Sequence, residues 1–216
     1  MGEFENYLLL KFSNAILKMR HSPYAIGMDI YWVEDDLRRP AVRLITNTRE
    51  HAKAHSPEQR KRRAGDAFSA LEALWNHSFW DWKTEATVGN EYCSFVGDYY
   101  DSEGISLRKA WIQSLGLWYE NEFEESDFDS ALELGSKIIE HFDELCLWSA
   151  RELHPVILKK FRTDLPIIFF NRESPNEESM GLTRQANHSR LLSGYASFIR
   201  AYCGVEWGDF IEKKSR

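Results

Sequence analysis

Apolar residues recur every three or four positions at the start of the chain. They are Phe4, Leu8, Phe12, Ala15, Ile16 and Met19. This spacing puts the six side chains on one face, which predicts an amphipathic helix that ends at Ser22-Pro23. The next apolar residues alternate with other residues, and they are Ile26, Met28, Ile30 and Trp32. A period of two predicts a strand, and Val42-Arg43-Leu44-Ile45 offers an antiparallel partner across a loop.

Further stretches have helical spacing. The clearest begins at Ser56, where the hydroxyl and Gln59 can form a capping box, and the predicted helix continues to about residue 79. Another helix is predicted over residues 106 to 118. A long helix is predicted from Phe128 to about Leu153, where His154-Pro155 interrupts it. The apolar run 165 to 170 then predicts a central strand, and the remaining chain returns to helical spacing.

This order of elements predicts an α+β fold in a single domain that covers residues 1 to 216. We expect a small, mostly antiparallel sheet of at least three strands, packed against several helices. Apolar residues make up 43% of the 216 residues, which is enough for one sizeable core. No apolar run reaches the roughly eighteen residues needed to cross a bilayer, so we expect no membrane partner.

Charge and cysteine content narrow the possible partners and the compartment. The formal net charge is -7 at pH 7, which argues against nucleic-acid binding and favours a basic protein partner. The three cysteines, Cys93, Cys146 and Cys203, are far apart and odd in number, as is typical of a reducing compartment. The first residues have no secretory cleavage signature. We therefore expect a cytoplasmic protein.

Several short motifs have a familiar order along the chain. They are Asn47-Thr48-Arg49-Glu50 after the hairpin, Glu152-Leu153-His154, Lys160-Phe161, the strand Leu165-Pro166-Ile167-Ile168-Phe169-Phe170, and Ala186-Asn187. Together they resemble the bacterial domain of unknown function 4303 family, in which a similar series runs from a glutamate-leucine-histidine helix end to an alanine-asparagine pair. The resemblance implies an α+β fold in a bacterial cytoplasmic protein, and it brings no established activity. Relatives follow the strand with a histidine and acidic-aromatic residues, whereas this chain has Asn171 to Pro175.

Histidines provide the candidate chemistry of an enzyme. His51 and His55 are four residues apart, so on a helix they share a face and are an alternative metal site. Their HAKAH motif lacks the glutamate of HExxH proteases. His154 and its neighbour Glu152 are a possible base and orienter, and Asn187-His188 lies in another segment that could approach them. The phosphate-binding and nucleophile motifs GxxxxGK[ST], GxGxxG and GxSxG do not occur, so no cofactor is predicted.

The most unusual stretch is WYENEFEESDFD, residues 118 to 129, which we call the acidic-aromatic segment. Its predicted partner-binding residues are Trp118, Tyr119, Glu120, Glu122, Phe123, Glu124, Glu125, Asp127 and Asp129. Carboxylates there would steer a basic partner while the aromatic rings anchor it. The alternative is structural, with the segment facing the basic run Arg60 to Arg63 inside one chain or across a homodimer.

These features favour a non-enzymatic protein-binding domain. By analogy with other small acidic bacterial domains, one form of this hypothesis is an immunity protein of a toxin-antitoxin kind. Such a protein would neutralise a basic toxin such as a nuclease, because a nuclease presents a cationic groove to its substrate. The alternative is a hydrolase that uses a metal or a histidine with a carboxylate.

Overall fold

The computed structural model describes residues 2–56, 69–81, 83–91, 100–119, 128–171 and 175–213. Its α-helices are α1 (Glu3–Lys18), α2 (Arg49–His55), α3 (Ala70–Trp75), α4 (Ser102–Ser114), α5 (Phe128–Phe161), α6 (Glu177–Ala186), α7 (Ser193–Tyr202) and α8 (Val205–Glu212). Its strands are β1 (Ala25–Trp32), β2 (Pro40–Asn47), β3 (Thr84–Val88) and β4 (Ile167–Asn171). The predicted α+β fold is confirmed. Within these ranges, none of the helices combines the length and the apolar character that a bilayer crossing requires.

The four strands form one sheet in the order β3-β2-β1-β4. β2 is antiparallel to both β1 and β3, which confirms the predicted hairpin, whereas β4 is parallel to β1. The sheet is therefore mixed rather than mostly antiparallel. The prediction that β4 is a central strand is wrong, because β4 lies at an edge. Its continuous apolar run reflects two covered faces and not two neighbouring strands.

Each face of the sheet is covered by its own core. On the first face, α1 and α5 pack over Met28, Leu44 and Phe169. On the second face, α3 and α7 pack near Ile45 and Phe170. Gly27 is needed there, since a Cβ atom at this position would lie 2.6 Å from Ile45 Cγ1 and 2.8 Å from Phe170 Cε2.

Two predicted helix boundaries are wrong. Ser69 has extended backbone angles, with φ -146° and ψ 162°, and its side chain accepts the Glu72 N–H as the N-cap of α3. One helix therefore cannot run from Ser56 to residue 79; the intervening residues 57–68 lie outside the described ranges. In contrast, α5 continues through Pro155. A helical proline costs about 3 kcal/mol, but burying Leu153 and Ile157 contributes about 1.5–3 kcal/mol each. The gain from packing therefore outweighs the cost of the proline.

The outer edge of β4 is covered by side chains near the end of α6. Thr183 Oγ1 accepts the Phe169 N–H at 2.9 Å. Asn187 Oδ1 accepts the Ile167 N–H at 2.8 Å, and Asn187 Nδ2 donates to the Ile167 carbonyl at 2.7 Å. An uncovered edge strand offers such groups to other chains. These two side chains take the place of a fifth strand.

Replacing Asn187 with alanine is expected to lower the free energy of unfolding by about 1–3 kcal/mol. The variant leaves the N–H and C=O of Ile167 without their side-chain partners in a part-buried position. Urea unfolding followed by tryptophan fluorescence measures the change. As a control, Asn6→Ala alters an exposed asparagine on α1 and should stay within about 0.5 kcal/mol of the wild type. Equal effects of the two substitutions would contradict this role of Asn187.

Candidate functional site

Three aromatic rings fix the surface where α1, α4 and α5 meet. Trp111 on α4 lies 5.5 Å from Phe4 and 6.2 Å from Phe142, measured between ring centroids. Phe4 and Phe142 are themselves 6.3 Å apart. Phe142 is fully buried and Phe4 nearly so, whereas Trp111 remains partly exposed. The indole of Trp111 is thus held rigidly by the core while part of it faces solvent.

Two cavities adjoin Trp111, and we call them together the tryptophan groove. The larger has a volume of about 440 Å³ and is lined by Glu5, Trp111, Leu115, His141, Glu144, Leu145 and Trp148. The smaller has a volume of about 250 Å³ and is lined by Gly2, Glu3, Phe4, Leu107, Ala110, Trp111 and Ser114. Trp111 lines both cavities. The groove therefore combines a rigid aromatic centre with apolar surface on either side.

The rim of the tryptophan groove is acidic. Among the described residues that line it, every titratable side chain except His141 is a carboxylate, from Glu3, Glu5 or Glu144. His141 Nδ1 lies 3.7 Å from Glu144 Oε2, and the Glu5 carboxylate accepts the Gly2 N–H at 2.6 Å. A long basic side chain could lay its aliphatic stem on an indole ring and bring its cationic head to the rim.

The described part of the acidic-aromatic segment is anchored to its own domain. Lys109 Nζ lies 4.6 Å from the centroid of the Trp118 ring. The Arg38 guanidinium lies 4.8 Å from the Tyr119 ring, and its Nη1 donates to the Tyr119 carbonyl at 3.4 Å. Burial raises the pKa of the Tyr119 hydroxyl. Both rings are half-buried and make cation–π contacts within the chain, so the first two residues of the segment are held against its surface.

The rest of the predicted partner surface is only partly described. Asp129 is exposed in the first turn of α5. Residues Glu120, Glu122, Phe123, Glu124, Glu125 and Asp127 lie outside the described ranges, as does the basic run Arg60 to Arg63. Whether this segment binds a partner stays a prediction. Sequence reasoning missed the tryptophan groove, because its residues come from three helices and only the burial of Trp111 could be expected from periodicity.

The predicted histidine pair on α2 forms as its spacing indicates. The His51 and His55 rings lie 4.7 Å apart between centroids. Over the described ranges, however, no group of three or more His, Cys, Asp or Glu side chains is arranged to hold a metal ion. The pair thus has no third ligand there.

The remaining candidate histidines make separate structural contacts. His154 Nδ1 lies 2.7 Å from Asp164 Oδ1, and its Nε2 lies 3.0 Å from the Ala186 carbonyl. His154 therefore joins the end of α5 to the residues before β4 and to the end of α6. His188 Nδ1 instead accepts the Arg190 N–H at 3.3 Å. The carboxylate that contacts His154 is thus Asp164 and not the predicted Glu152, and the described contacts of His188 do not include His154.

Two buried polar clusters were also not foreseen. On the second sheet face, Arg43 Nε donates to Asp29 Oδ2 at 2.6 Å, and the two residues are only 5% and 6% exposed. Burial, with the charge of Arg43, lowers the pKa of the nearby His77. Between α5 and α6, burial and the neighbouring Glu178 carboxylate raise the pKa of Asp143 to about 8. Asp29, Arg43 and Asp143 are buried, whereas Glu178 is exposed at the edge of its cluster, and we assign both clusters to stability.

Comparison with known proteins assigns no function to the chain, so its function is inferred from the sites described above. No protein-family model, curated protein or solved structure matches the chain. The resemblance to the domain of unknown function 4303 family stays a prediction.

Proposed function

We propose that this chain is a non-enzymatic binding domain that receives a basic segment of a partner protein in the tryptophan groove. The observation that carries the proposal is the acidic rim around a rigid indole. Glu3, Glu5 and Glu144 surround the cavities that Trp111 adjoins. A preorganised aromatic anchor loses little conformational entropy on binding, and fixed aromatic residues supply much of the binding energy at interfaces.

Charge supports the same class of partner. The net charge of -7 steers cationic proteins towards the chain and speeds their encounter. At the groove, a Lys or Arg head over an indole gains about 0.5–2 kcal/mol from cation–π attraction, beyond any attraction to Glu144. A basic segment thus matches the groove in both charge and apolar character.

The acidic-aromatic segment extends this proposal. Leu115 lines the groove, and the segment begins three residues later at Trp118. A basic partner seated in the groove would meet a second set of carboxylates supplied by this part of the sequence. An immunity protein that blocks the cationic groove of a nuclease toxin in the bacterial cytoplasm is the specific form that we favour. The hydrolase alternative is less well supported, since its histidines have separate structural partners.

Reversing the charge of Glu144 is expected to weaken binding of a basic probe. The probe is a fluorescein-labelled amphipathic peptide of alternating Lys and Leu blocks, and its binding is followed by fluorescence anisotropy at low and moderate salt. Glu144→Lys should lower affinity about fivefold or more, because an attraction at the rim becomes a repulsion. The same peptide with Glu in place of Lys should not bind.

Glu152→Lys provides the matched control for this experiment. Glu152 is exposed on the same helix and does not line either cavity, so the two variants have the same net charge. The control should retain affinity within about twofold. If both variants lose affinity equally, the peptide responds to net charge alone and the groove is not its site.

A further inference from the structure

The larger cavity of the tryptophan groove has a second indole. Trp148 on α5 lines it together with Trp111 on α4. Both indoles are partly exposed, and both pack against the core on the first face of the sheet. Trp148 follows His141, Glu144 and Leu145 at intervals that place the four side chains on one face of α5. The cavity therefore receives an aromatic ring from each of two helices.

Glu144 supplies a carboxylate that a ligand can reach. Its side chain is 79% exposed, and within the described ranges its ion contact is with His141 Nδ1 at 3.7 Å. That distance is longer than a hydrogen bond. Glu144 lies four residues before Trp148, so the carboxylate and the indole are neighbours on the surface of α5. A cation seated against Trp148 would thus lie within reach of Glu144.

The protein already holds one arginine between an aromatic ring and a carboxylate. Arg38 Cζ lies 4.8 Å from the centroid of the Tyr119 ring. Its Nε and Nη2 donate at the same time to Asp36 Oδ1 at 2.9 Å and Oδ2 at 2.7 Å. A planar guanidinium can make both contacts, because its face meets the ring while its edge donates two hydrogen bonds. The larger cavity offers the same two kinds of group.

We propose that the larger cavity selects arginine over lysine as the basic residue that a partner segment inserts. This inference rests on the proposed function, since it names the side chain that the tryptophan groove receives. The guanidinium lies against an indole, and its edge donates two parallel hydrogen bonds to Glu144. Leu115 and Leu145, which also line the cavity, contact the aliphatic stem.

Lysine matches the same cavity less well. Its ammonium is compact and strongly hydrated, so it loses part of this hydration when it reaches an indole face. It is also a point charge, which cannot form the planar pair of hydrogen bonds that a carboxylate accepts from a guanidinium. Net charge does not distinguish the two residues. A preference for arginine at equal charge is therefore the property that identifies this cavity as the site.

Three fluorescein-labelled peptides of equal length test this preference. Each alternates blocks of Leu with blocks of one other residue, which is Arg, Lys or the neutral arginine analogue citrulline. Anisotropy at moderate salt should show that the Arg peptide binds about fivefold or more tightly than the Lys peptide. The citrulline peptide keeps the planar shape without the charge, so it should bind about tenfold or more weakly than the Arg peptide. The Arg peptide should also shift the indole N–H signals of Trp111 and Trp148 in NMR spectra.

Two protein variants locate the preference. Glu144→Gln removes the charged acceptor from an exposed position, and Trp148→Leu removes one indole from the cavity. Each should reduce the ratio of the Arg and Lys affinities to about twofold or less. Trp207→Leu on α8 is the matched control, because it replaces another partly exposed indole that does not line the cavity. This control should keep the wild-type ratio.

The outcomes separate this inference from the proposed function. If the Arg and Lys peptides bind equally and Glu144→Lys weakens both, the groove receives a basic segment but the arginine preference is wrong. If neither peptide binds, both proposals are wrong. If Glu144→Gln leaves the ratio unchanged, the preference arises at another site, and the assignment to this cavity is overturned.

Discussion

Replacing Asp143 with asparagine is expected to stabilise the protein above pH 8 and to flatten the dependence of its stability on pH. Burial, followed by the charge and hydrogen bond of Glu178, raises the pKa of Asp143 to about 8 from an ordinary value of 3.8. Asn171 Nδ2 donates to Glu178 Oε2 at 3.1 Å, which helps to hold Glu178 beside Asp143. The folded protein thus keeps a proton on Asp143 that the unfolded chain has lost.

The sign of the effect follows from proton counting. Between about pH 4 and pH 8 the folded state binds more protons at Asp143 than the unfolded state, so this group's stabilising contribution is lost as the pH rises. The slope for one group is at most about 1.4 kcal/mol per pH unit. Asparagine imitates the protonated carboxyl and cannot ionise, which removes the slope.

Urea unfolding at pH 5, 7 and 9 measures this difference. The variant should cross from similar or slightly lower stability at pH 5 to higher stability at pH 9. Glu140→Gln removes an exposed carboxylate from the same helix and should keep the wild-type slope. A slope in Asp143→Asn that matches the wild type would show that Asp143 does not hold this proton.

The second large effect is expected from Arg43→Met, which should lower the free energy of unfolding by about 3–5 kcal/mol. Arg43 and Asp29 are directly opposite in the register of β1 and β2, and both are buried. Methionine fills a similar volume but leaves the Asp29 carboxylate buried without this cation. Urea is the suitable denaturant, because it does not screen charge.

A double variant and a histidine signal make this test specific. Asp29→Leu combined with Arg43→Met removes both charges, so it should recover most of the lost stability. The pKa of His77, which burial and the charge of Arg43 lower, should rise in Arg43→Met when followed by NMR. A single variant within about 1 kcal/mol of the wild type would show that the pair is dispensable.

The sequence patterns predicted elements better than their positions in the sheet. Alternation identified β1 and β2, and helical spacing identified α1 and most of α5, because those side chains face one core. The edge position of β4 depends on Thr183 and Asn187. Nothing in the spacing of these two residues along the sequence indicates that their side chains bond to β4. Likewise, local rules predict that the helix ends at Pro155. Only the burial of Leu153 and Ile157 outweighs this local preference.

The candidate sites show the same division. The charge of -7 and the aromatic content predicted an acidic partner surface, and the acidic-aromatic segment could be named from sequence alone. The contacts of Trp118 with Lys109 and of Tyr119 with Arg38 depend on how the chain folds back on α4 and on the β1–β2 loop. The tryptophan groove depends on three helices meeting, which no single stretch reveals.

The parallel pairing of β1 with β4 also governs how the chain reaches its fold. Ile26 in β1 pairs with Ile167 in β4, and β4 follows α5 in the sequence. One side of β1 therefore stays unpaired until β4 has been synthesised. Contacts between such distant residues slow folding, since a long loop must close before they form. Until then, a nascent chain leaves one side of an apolar strand open to other chains. Pairing with β4 covers that side of β1 and removes this exposed strand edge from the growing polypeptide.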